Sequence, residues 1–453
     1  MADSVRVPSD SISCCFRLRR RKNKREEDLI SSLPDVILQH ILFFIETKFA
    51  IRTSVLSKRW RHVWCDIPGL SFDNVKEAAS TNKTLTQYTA LKMMSFHLKT
   101  DMENNVPYIN KWIEFAMSRK AESISLDFSF QSEYKIADSF YIYSSVKELS
   151  LQSYFVHMMP KWVVSWTSLK KLSMRCCCLQ SIANILSGCP VLECLILNQC
   201  KNISYVLDVS KALRLRTLEI KRYSASIGPR HIVAPQIHCL RMINSEMPCT
   251  LVDVSSLNEA KMDISFVPVK WNFEKVFPRV INLVVEMLEK LQNVENLTFG
   301  GNYLQVCFQL ILELLIFTNA KTLTLETVIF RYVIPGIERL LQNSPELKKL
   351  TIRAWDCNTI SEEYLDKYLT LQGLNPDQCW RSKDGVIWNR CRRNVESKHI
   401  TSFVKLLLKN TKTLDKMVVQ LDERYLKYKV KKLKIPTLAH NNNVSIVLMT
   451  LSE

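Results

Sequence analysis

Hydrophobic positions along the chain repeat a short unit, apolar-x-x-apolar-x-apolar. It reads AESISL at 121–126, VKELSL at 146–151, LKKLSM at 169–174, LECLIL at 192–197, LRTLEI at 215–220 and IHCLRM at 237–242. Later copies start at Leu257, Val294, Ala320 and Leu347, and the start-to-start steps are 25, 23, 23, 23, 22, 20, 37, 26 and 27 residues. The last two apolar positions of each unit are two apart, the period of one face of a strand. Each unit thus predicts a short strand with both apolar side chains inward. The residues between units, such as 179–189 and 337–343, read as helical or irregular returns. The longest step holds Pro268, Trp271 and Pro278, and 265–281 reads as an irregular insertion.

A single strand-and-return of this kind leaves an apolar flank that only its neighbour can cover, so the units must stack. All steps but the longest fall in the range of leucine-rich repeats. The expected architecture is α/β: a curved solenoid with a parallel sheet on its concave side. Leu149, Leu172, Leu195 and Leu218 share one inward slot. Gln152, Arg175, Asn198 and Lys221 follow the last apolar position of their units and point outward, as do Arg241 and Arg353. Aligned polar residues on a concave sheet are a candidate target-facing surface, and a merely solvated sheet face has the same composition.

Residues 28–65 follow a different pattern. Leu33-Pro34-Asp35 opens a helix: Pro supplies a preset φ and Asp suits the positive end of the dipole. Ile37, Ile41, Phe44 and Ile45 then recur at helical spacing, with Leu38 and Leu42 widening the stripe. A second helical stretch over 50–56 carries Ile51, Val55 and Leu56, and a third over 58–64 carries Trp60, Val63 and Trp64. Three short helices cannot hide that much apolar surface, which implies a partner or a neighbouring domain.

Composition removes several function classes. Only 8 of 453 residues are Gly, and neither GxGxxG nor GxxxxGK[ST] occurs, so glycine-loop nucleotide binding is excluded. HExxH and GxSxG are likewise absent. The most apolar stretch, 304–317, is short and interrupted by Gln305, Gln309 and Glu313, so no membrane span is expected. Without a secretory apolar run at the N-terminus, the 15 Cys read as reduced, buried small hydrophobes. Neither Cys176-Cys177-Cys178 nor Cys379, Cys391 and His399 has metal-ligand spacing, and no metal or cofactor is expected.

The net charge of +18 is unevenly spread: +3 over 1–28, +11 over 381–435 and +4 over the remainder. Seven of the nine residues from Arg17 to Arg25 are basic, which reads as a nuclear-import signal or a solvated arm, with Cys14-Cys15 beside it as a candidate lipidation site. The C-terminal charge is a docking surface for an acidic partner or a solvated rim.

Residues 33–42 (LPDVILQHIL), 52–61 (RTSVLSKRWR) and Trp64 resemble, in register, the F-box of plant F-box proteins. Glu46 and Phe49 depart from that pattern in the inter-helix turn. Past the repeats, TSFVKLLLKN at 401–410 reads as a helix and LDKMVV at 414–419 as another strand unit. Helix and strand together, with NPDQCW at 375–380 and HNNNVSIVL at 440–448, resemble the FBD region that ends many plant F-box/LRR proteins.

The resemblance implies an N-terminal three-helix F-box, a leucine-rich-repeat solenoid and an LRR-like FBD cap. The expected division is a disordered basic arm over 1–27, the F-box over 28–72, a linker and N-terminal cap over 73–120, the repeat array over 121–356 and the FBD-like region over 357–453. It further implies the substrate-recognition subunit of an SCF-type E3 ubiquitin ligase, non-catalytic and without cofactor. Leu33, Pro34, Ile37, Ile41, Leu42, Val55, Leu56, Trp60 and Trp64 would line or support the contact with a Skp-type adaptor, and through it a cullin scaffold. The repeats and tail would hold an unknown protein substrate, in the nucleus, the cytoplasm or both. Two other functions remain open on the residues alone: an LRR scaffold with a non-docking F-box, and a nuclear nucleic-acid-associated protein, disfavoured by the lack of a zinc-finger or RRM signature.

Overall fold

A computed structural model describes residues 29–130, 134–153, 164–177, 179, 182–201, 203, 205–222, 229–245, 249–264, 273–307, 316–355, 360–371, 373, 375, 397–422 and 444–450. The basic arm, Cys14, Cys15, Cys178, Cys379, Cys391 and most of the basic stretch over 381–435 lie outside the described residues.

The strand units build one long parallel sheet. In chain order the strands of the molecule are β1 (Gly69–Phe72), β2 (Ser95–Thr100), β3 (Ser123–Phe128), β4 (Glu148–Ser153), β5 (Lys171–Arg175), β6 (Cys194–Asn198), β7 (Val206–Asp208), β8 (Thr217–Lys221) and β9 (His231–Val233). They continue as β10 (Cys239–Ser245), β11 (Thr250–Asp253), β12 (Glu259–Ile264), β13 (Asn296–Gly300), β14 (Thr322–Thr327), β15 (Lys349–Ala354), β16 (Lys416–Leu421) and β17 (Ser445–Thr450). Fourteen of them pair side by side in chain order, skipping β7, β9 and β11, which form a separate three-stranded sheet.

The register follows the apolar unit. Ile124, Leu149, Leu172, Leu195, Leu218 and Leu240 are direct neighbours across β3, β4, β5, β6, β8 and β10, and all are buried. Leu126, Leu151, Met174, Leu197, Ile220 and Met242 form the second inward row. A one-residue slip would turn every one of these side chains to water, so burial of one face fixes the pairing. The solenoid of the expected α/β class is thereby established, with a single continuous apolar core running from the N-terminal helices to β16.

Two expectations change. The sheet starts at Gly69, so β1 falls in the stretch expected to be F-box and β2 in the stretch expected to be linker. Both follow the unit: Ile67, Leu70 and Phe72, then Met93, Phe96 and Leu98, all buried. Methionine and aromatic residues in the leucine slots disguise them. Second, the expected irregular insertion contains the first half of an 18-residue helix, Phe273–Lys290, with Pro278 inside it. The strand unit expected at 414–419 is β16, and with β17 it extends the sheet in parallel past residue 357.

The returns differ along the array. Helices Val106–Ser118, Ile182–Ser187, Ile334–Gln342 and Ser397–Lys409 cover the core in some repeats. Between β6 and β12 the short strands β7, β9 and β11 take that place, with Leu207, Ile232 and Leu251 aligned and buried. Asp208 and Asp253 close the turns after β7 and β11 by accepting the N–H of Ser210 (2.9 Å) and Ser255 (3.2 Å). This Asp-Val-Ser repeat is the sequence signal for those turns.

Candidate protein-interaction sites

The N-terminal module holds helices α1 (Leu29–Ser32), α2 (Asp35–Phe43), α3 (Thr47–Arg52) and α4 (Trp60–Val63), with single 3-10 turns after α3 and α4. Its interior is Leu38, Leu42, Ala50, Trp60, Val63 and Trp64. Of the nine expected contact residues, Leu42, Trp60 and Trp64 are therefore core: they support the surface rather than lie on it. Leu33 is half-buried, and Pro34, Ile37, Ile41, Val55 and Leu56 are exposed. Ile37 is 45% exposed, Ile41 48%, Phe44 73%, Val55 88% and Leu56 64%. That much aliphatic and aromatic surface on so small a module marks an interaction site.

One contributor was not visible in the apolar pattern. Arg59 Nε donates to Asp35 Oδ1 at 2.7 Å, and its Nη2 donates to the Leu33 carbonyl. The guanidinium thus clamps the chain on both sides of Pro34 and sets the start of α2. The two departures in the turn are also accounted for. Glu46 pairs with Lys48 at 2.6 Å, and the Phe49 ring lies under the cations of Lys48 (4.9 Å) and Arg52 (5.5 Å).

The module is fused to the array. The Ser71 N–H donates to the buried Thr47 Oγ1 (2.8 Å), Tyr88 Oη donates to the Ile67 carbonyl (2.7 Å), and the Thr89 N–H donates to the Cys65 carbonyl (2.9 Å). Burial raises the Tyr88 phenol to about 12, keeping it a donor at neutral pH.

The outward faces of the strands form three rows. Asp127, Gln152, Arg175, Asn198 and Lys221 are consecutive neighbours near the strand ends. Arg353 belongs to the same edge on β15, while Arg241 lies in the middle row, next to Glu219 and Lys261. Both of these arginines are committed. Arg241 Nη2 meets Glu259 Oε1 at 2.9 Å, and Arg353 Nη1 meets Glu326 Oε1 at 2.9 Å. The buried Glu326 also receives Lys261 at 2.7 Å. Arg175 is exposed and makes no ion pair among the described residues.

Several of the described thiols are held in the protonated form. Burial pushes Cys189 and Cys249 up to about 12, and burial followed by the Glu259 carboxylate holds Cys239 at about 11. Among the described residues no three His, Cys, Asp or Glu side chains converge as a metal site. No helix there is long and apolar enough to cross a membrane.

A small helical module with an exposed apolar face, joined by hydrogen bonds to a parallel leucine-rich solenoid, fits the adaptor or receptor class of protein. Comparison with known proteins agrees. Residues 30–71 match the F-box domain model, and residues 82–435 match the model described as At1g61320/AtMIF1, LRR domain. The F-box/LRR-repeat protein At3g18150 of Arabidopsis thaliana is 52% identical over 98% of this chain and 97% of its own length. The Arabidopsis F-box/LRR-repeat proteins At5g02910 and At3g03360 are 46% and 47% identical, covering 93% and 94% of this chain and 94% and 91% of their own lengths. The chain belongs to the F-box/LRR-repeat family of plants. The repeat model runs through residue 357, in keeping with β16 and β17 continuing the sheet.

Proposed function

We propose that the protein is the substrate-recognition subunit of an SCF-type E3 ubiquitin ligase. The carrying observation is the exposed apolar face of the F-box: Ile37, Ile41, Val55 and Leu56 stand out while Leu38, Leu42, Trp60 and Trp64 fill the interior beneath them. In this reading Pro34, Ile37, Ile41, Val55 and Leu56 touch a Skp-type adaptor, Leu33 borders the contact, and the buried Leu42, Trp60 and Trp64 hold it in shape from beneath. The adaptor links the chain to a cullin scaffold. The solenoid holds a protein target, and proximity raises the effective concentration of target lysines at the conjugating enzyme. The chain acts as a tether and performs no chemistry, so it needs no cofactor.

Co-purification with a Skp-type adaptor tests the reading. Leu33→Ala with Pro34→Ala, and separately Val55→Glu, should remove adaptor capture and leave the melting curve unchanged. Equal capture by wild type and variants would sink it. We further propose that the protein works in the nucleus, the cytoplasm or both, with the basic run from Arg17 to Arg25 supporting import. A fluorescent fusion with Arg19, Arg20, Arg21 and Lys22 changed to Ala should lose nuclear signal; an unchanged distribution counts against import.

A further inference from the structure

Among the described residues, two pairs of like charges stand opposite each other on the outward surface of the sheet. Arg241 on β10 is the direct neighbour of Lys261 on β12, and Lys349 on β15 is the direct neighbour of Lys416 on β16. Neighbouring strands lie about 4.8 Å apart, and like charges set opposite each other cost stability. The first pair is neutralised within the molecule: Glu259 takes Arg241 at 2.9 Å, and the buried Glu326 takes Lys261 at 2.7 Å. The second pair is not. Lys349 and Lys416 are exposed, and neither makes an ion pair among the described residues. Their flanking neighbours in the same row are hydroxyls, Thr322 and Ser445. Asp415, one residue before Lys416, pairs with neither. The far end of the same strands carries exposed apolar groups. Lys349, Thr351 and Arg353 alternate on the outward face of β15, and Trp355 follows, 43% exposed. Met449 on β17 is 51% exposed and shares a row with Arg353 and Gln420. Trp and Met are residue types enriched at protein interfaces.

Resting on the reading of the protein as a target receptor, we infer that this end of the sheet docks an extended segment of the target running along β15 and β16, with a carboxylate between Lys349 and Lys416 and an apolar side chain against Trp355 and Met449. The carboxylate neutralises the one like-charge pair that the molecule leaves open. Between the two ends the floor is Thr351 and Val418, both short and buried, so a chain can pass close above it. The register sets the spacing. Lys349 to Arg353, Lys416 to Gln420 and Ser445 to Met449 are each four residues, about 13 Å at 3.3 Å per residue. An extended segment spans that distance with four residues of its own. Four is an even number, so its acidic and apolar side chains leave the same side of the segment. The target sequence is therefore an Asp or Glu with a large apolar residue four positions away. A nucleic acid fits poorly, because a polyanion calls for a longer basic track than two lysines, and Arg353 beside them is already held by Glu326.

The test uses the full chain and a fluorescein-labelled heptapeptide with glutamate first, leucine fifth and threonine elsewhere. Fluorescence anisotropy should show it binding at least fivefold tighter than the peptide with lysine first, and at least threefold tighter than the peptide with leucine moved to the fourth position. Lys349→Gln with Lys416→Gln should remove the preference for glutamate, and Trp355→Ala should remove the preference for leucine at the fifth position. Lys171→Gln, in the same outward row on β5, should change neither. Because the lysine pair costs stability, the double glutamine variant should keep or raise the urea midpoint. No measurable binding, equal binding of the glutamate and lysine peptides, or a preference surviving the double variant overturns the inference. So does a lowered urea midpoint that accompanies the loss of binding, since the pair would then be structural. Binding of a phosphoserine peptide where the glutamate peptide fails, or displacement of the peptide by a single-stranded oligonucleotide in a manner dependent on Lys349 and Lys416, also overturns it. Adaptor capture is measured on the same preparation. Capture without peptide preference counts against this inference alone, and peptide preference without capture counts against the ligase reading alone.

Discussion

Arg59 reaches back 24 residues to Asp35, Nε to Oδ1 at 2.7 Å, and in the same grip takes the Leu33 carbonyl. The pair is largely solvated, so its Coulomb energy contributes little to folding, about 0.2–1 kcal/mol. Its effect is positional. Pro34 lies between the two acceptors, and the clamp fixes how Leu33 and Pro34 are presented beside α2. Without it, that turn must be ordered at the moment of docking, at an entropic cost.

Arg59→Met should accordingly leave the melting temperature nearly unchanged and weaken adaptor binding by about tenfold, the factor that 1.4 kcal/mol makes. Calorimetric titration with a Skp-type adaptor checks this. A loss of stability equal to the loss of binding would show that the clamp is merely structural.

The array makes a harsher prediction. Leu172 and Leu195 are neighbours in one inward row and have no exposed surface. Leu172→Asp or Leu195→Asp buries a charge with no partner, which costs well over the ~2–5 kcal/mol of Leu→Ala. Either should abolish the cooperative melt seen by circular dichroism. Ser173→Asp, one residue along and facing out, should melt as the wild type does. Matching curves for all three would disprove the register.

This contrast shows what was readable from the chain. Strand register is written in a two-residue period, because one face is buried and the other wet, and Leu149 through Leu240 obey it without exception. The first two strands escaped because Phe72, Met93 and Phe96 fill slots where leucine is the expected residue, though size and polarity alone suit the slot equally well. The helix Phe273–Lys290 escaped because Pro278 reads as a breaker. In the F-box, periodicity assigned residues to helices but could not divide them between core and surface. Three short helices present apolar residues on several sides, and only their packing sends Leu42 inward and Ile41 outward. The Arg59 clamp and the committed state of Arg241 and Arg353 depend on tertiary partners and have no local signature.

A glycine-poor chain makes its few glycines informative. A Cβ on Gly336 would stand 1.9 Å from the Leu304 carbonyl oxygen, where helix Ile334–Gln342 passes helix Gly301–Cys307 of the preceding repeat. No rotamer change relieves a clash with backbone. Gly336→Ala should lower stability by about 1–3 kcal/mol, the cost of overpacking a close-packed core, and urea titration should show it as a lower midpoint. An unchanged midpoint would mean that the two helices can separate freely.

The opposite substitution should help at Lys120. Helix Val106–Ser118 ends with the Ala121 N–H donating to the Ala116 carbonyl (3.1 Å) and the Lys120 N–H to the Met117 carbonyl (3.0 Å), the paired bonds of a Schellman ending. That motif puts Lys120 in the left-handed region, φ +54°. An L residue with a Cβ pays about 1–2 kcal/mol there and glycine does not, though glycine gives part of this back as extra freedom in the unfolded chain. The Lys120 side chain is exposed and Ala116 and Ala121 are buried, so the substitution removes no packing. Lys120→Gly should therefore stabilise by about 0.5–1 kcal/mol, a rise of about 0.5–1 °C in melting temperature at this size. Lys120→Ala retains the Cβ and should gain nothing. A gain in both variants would trace the effect to the lost charge instead of the backbone.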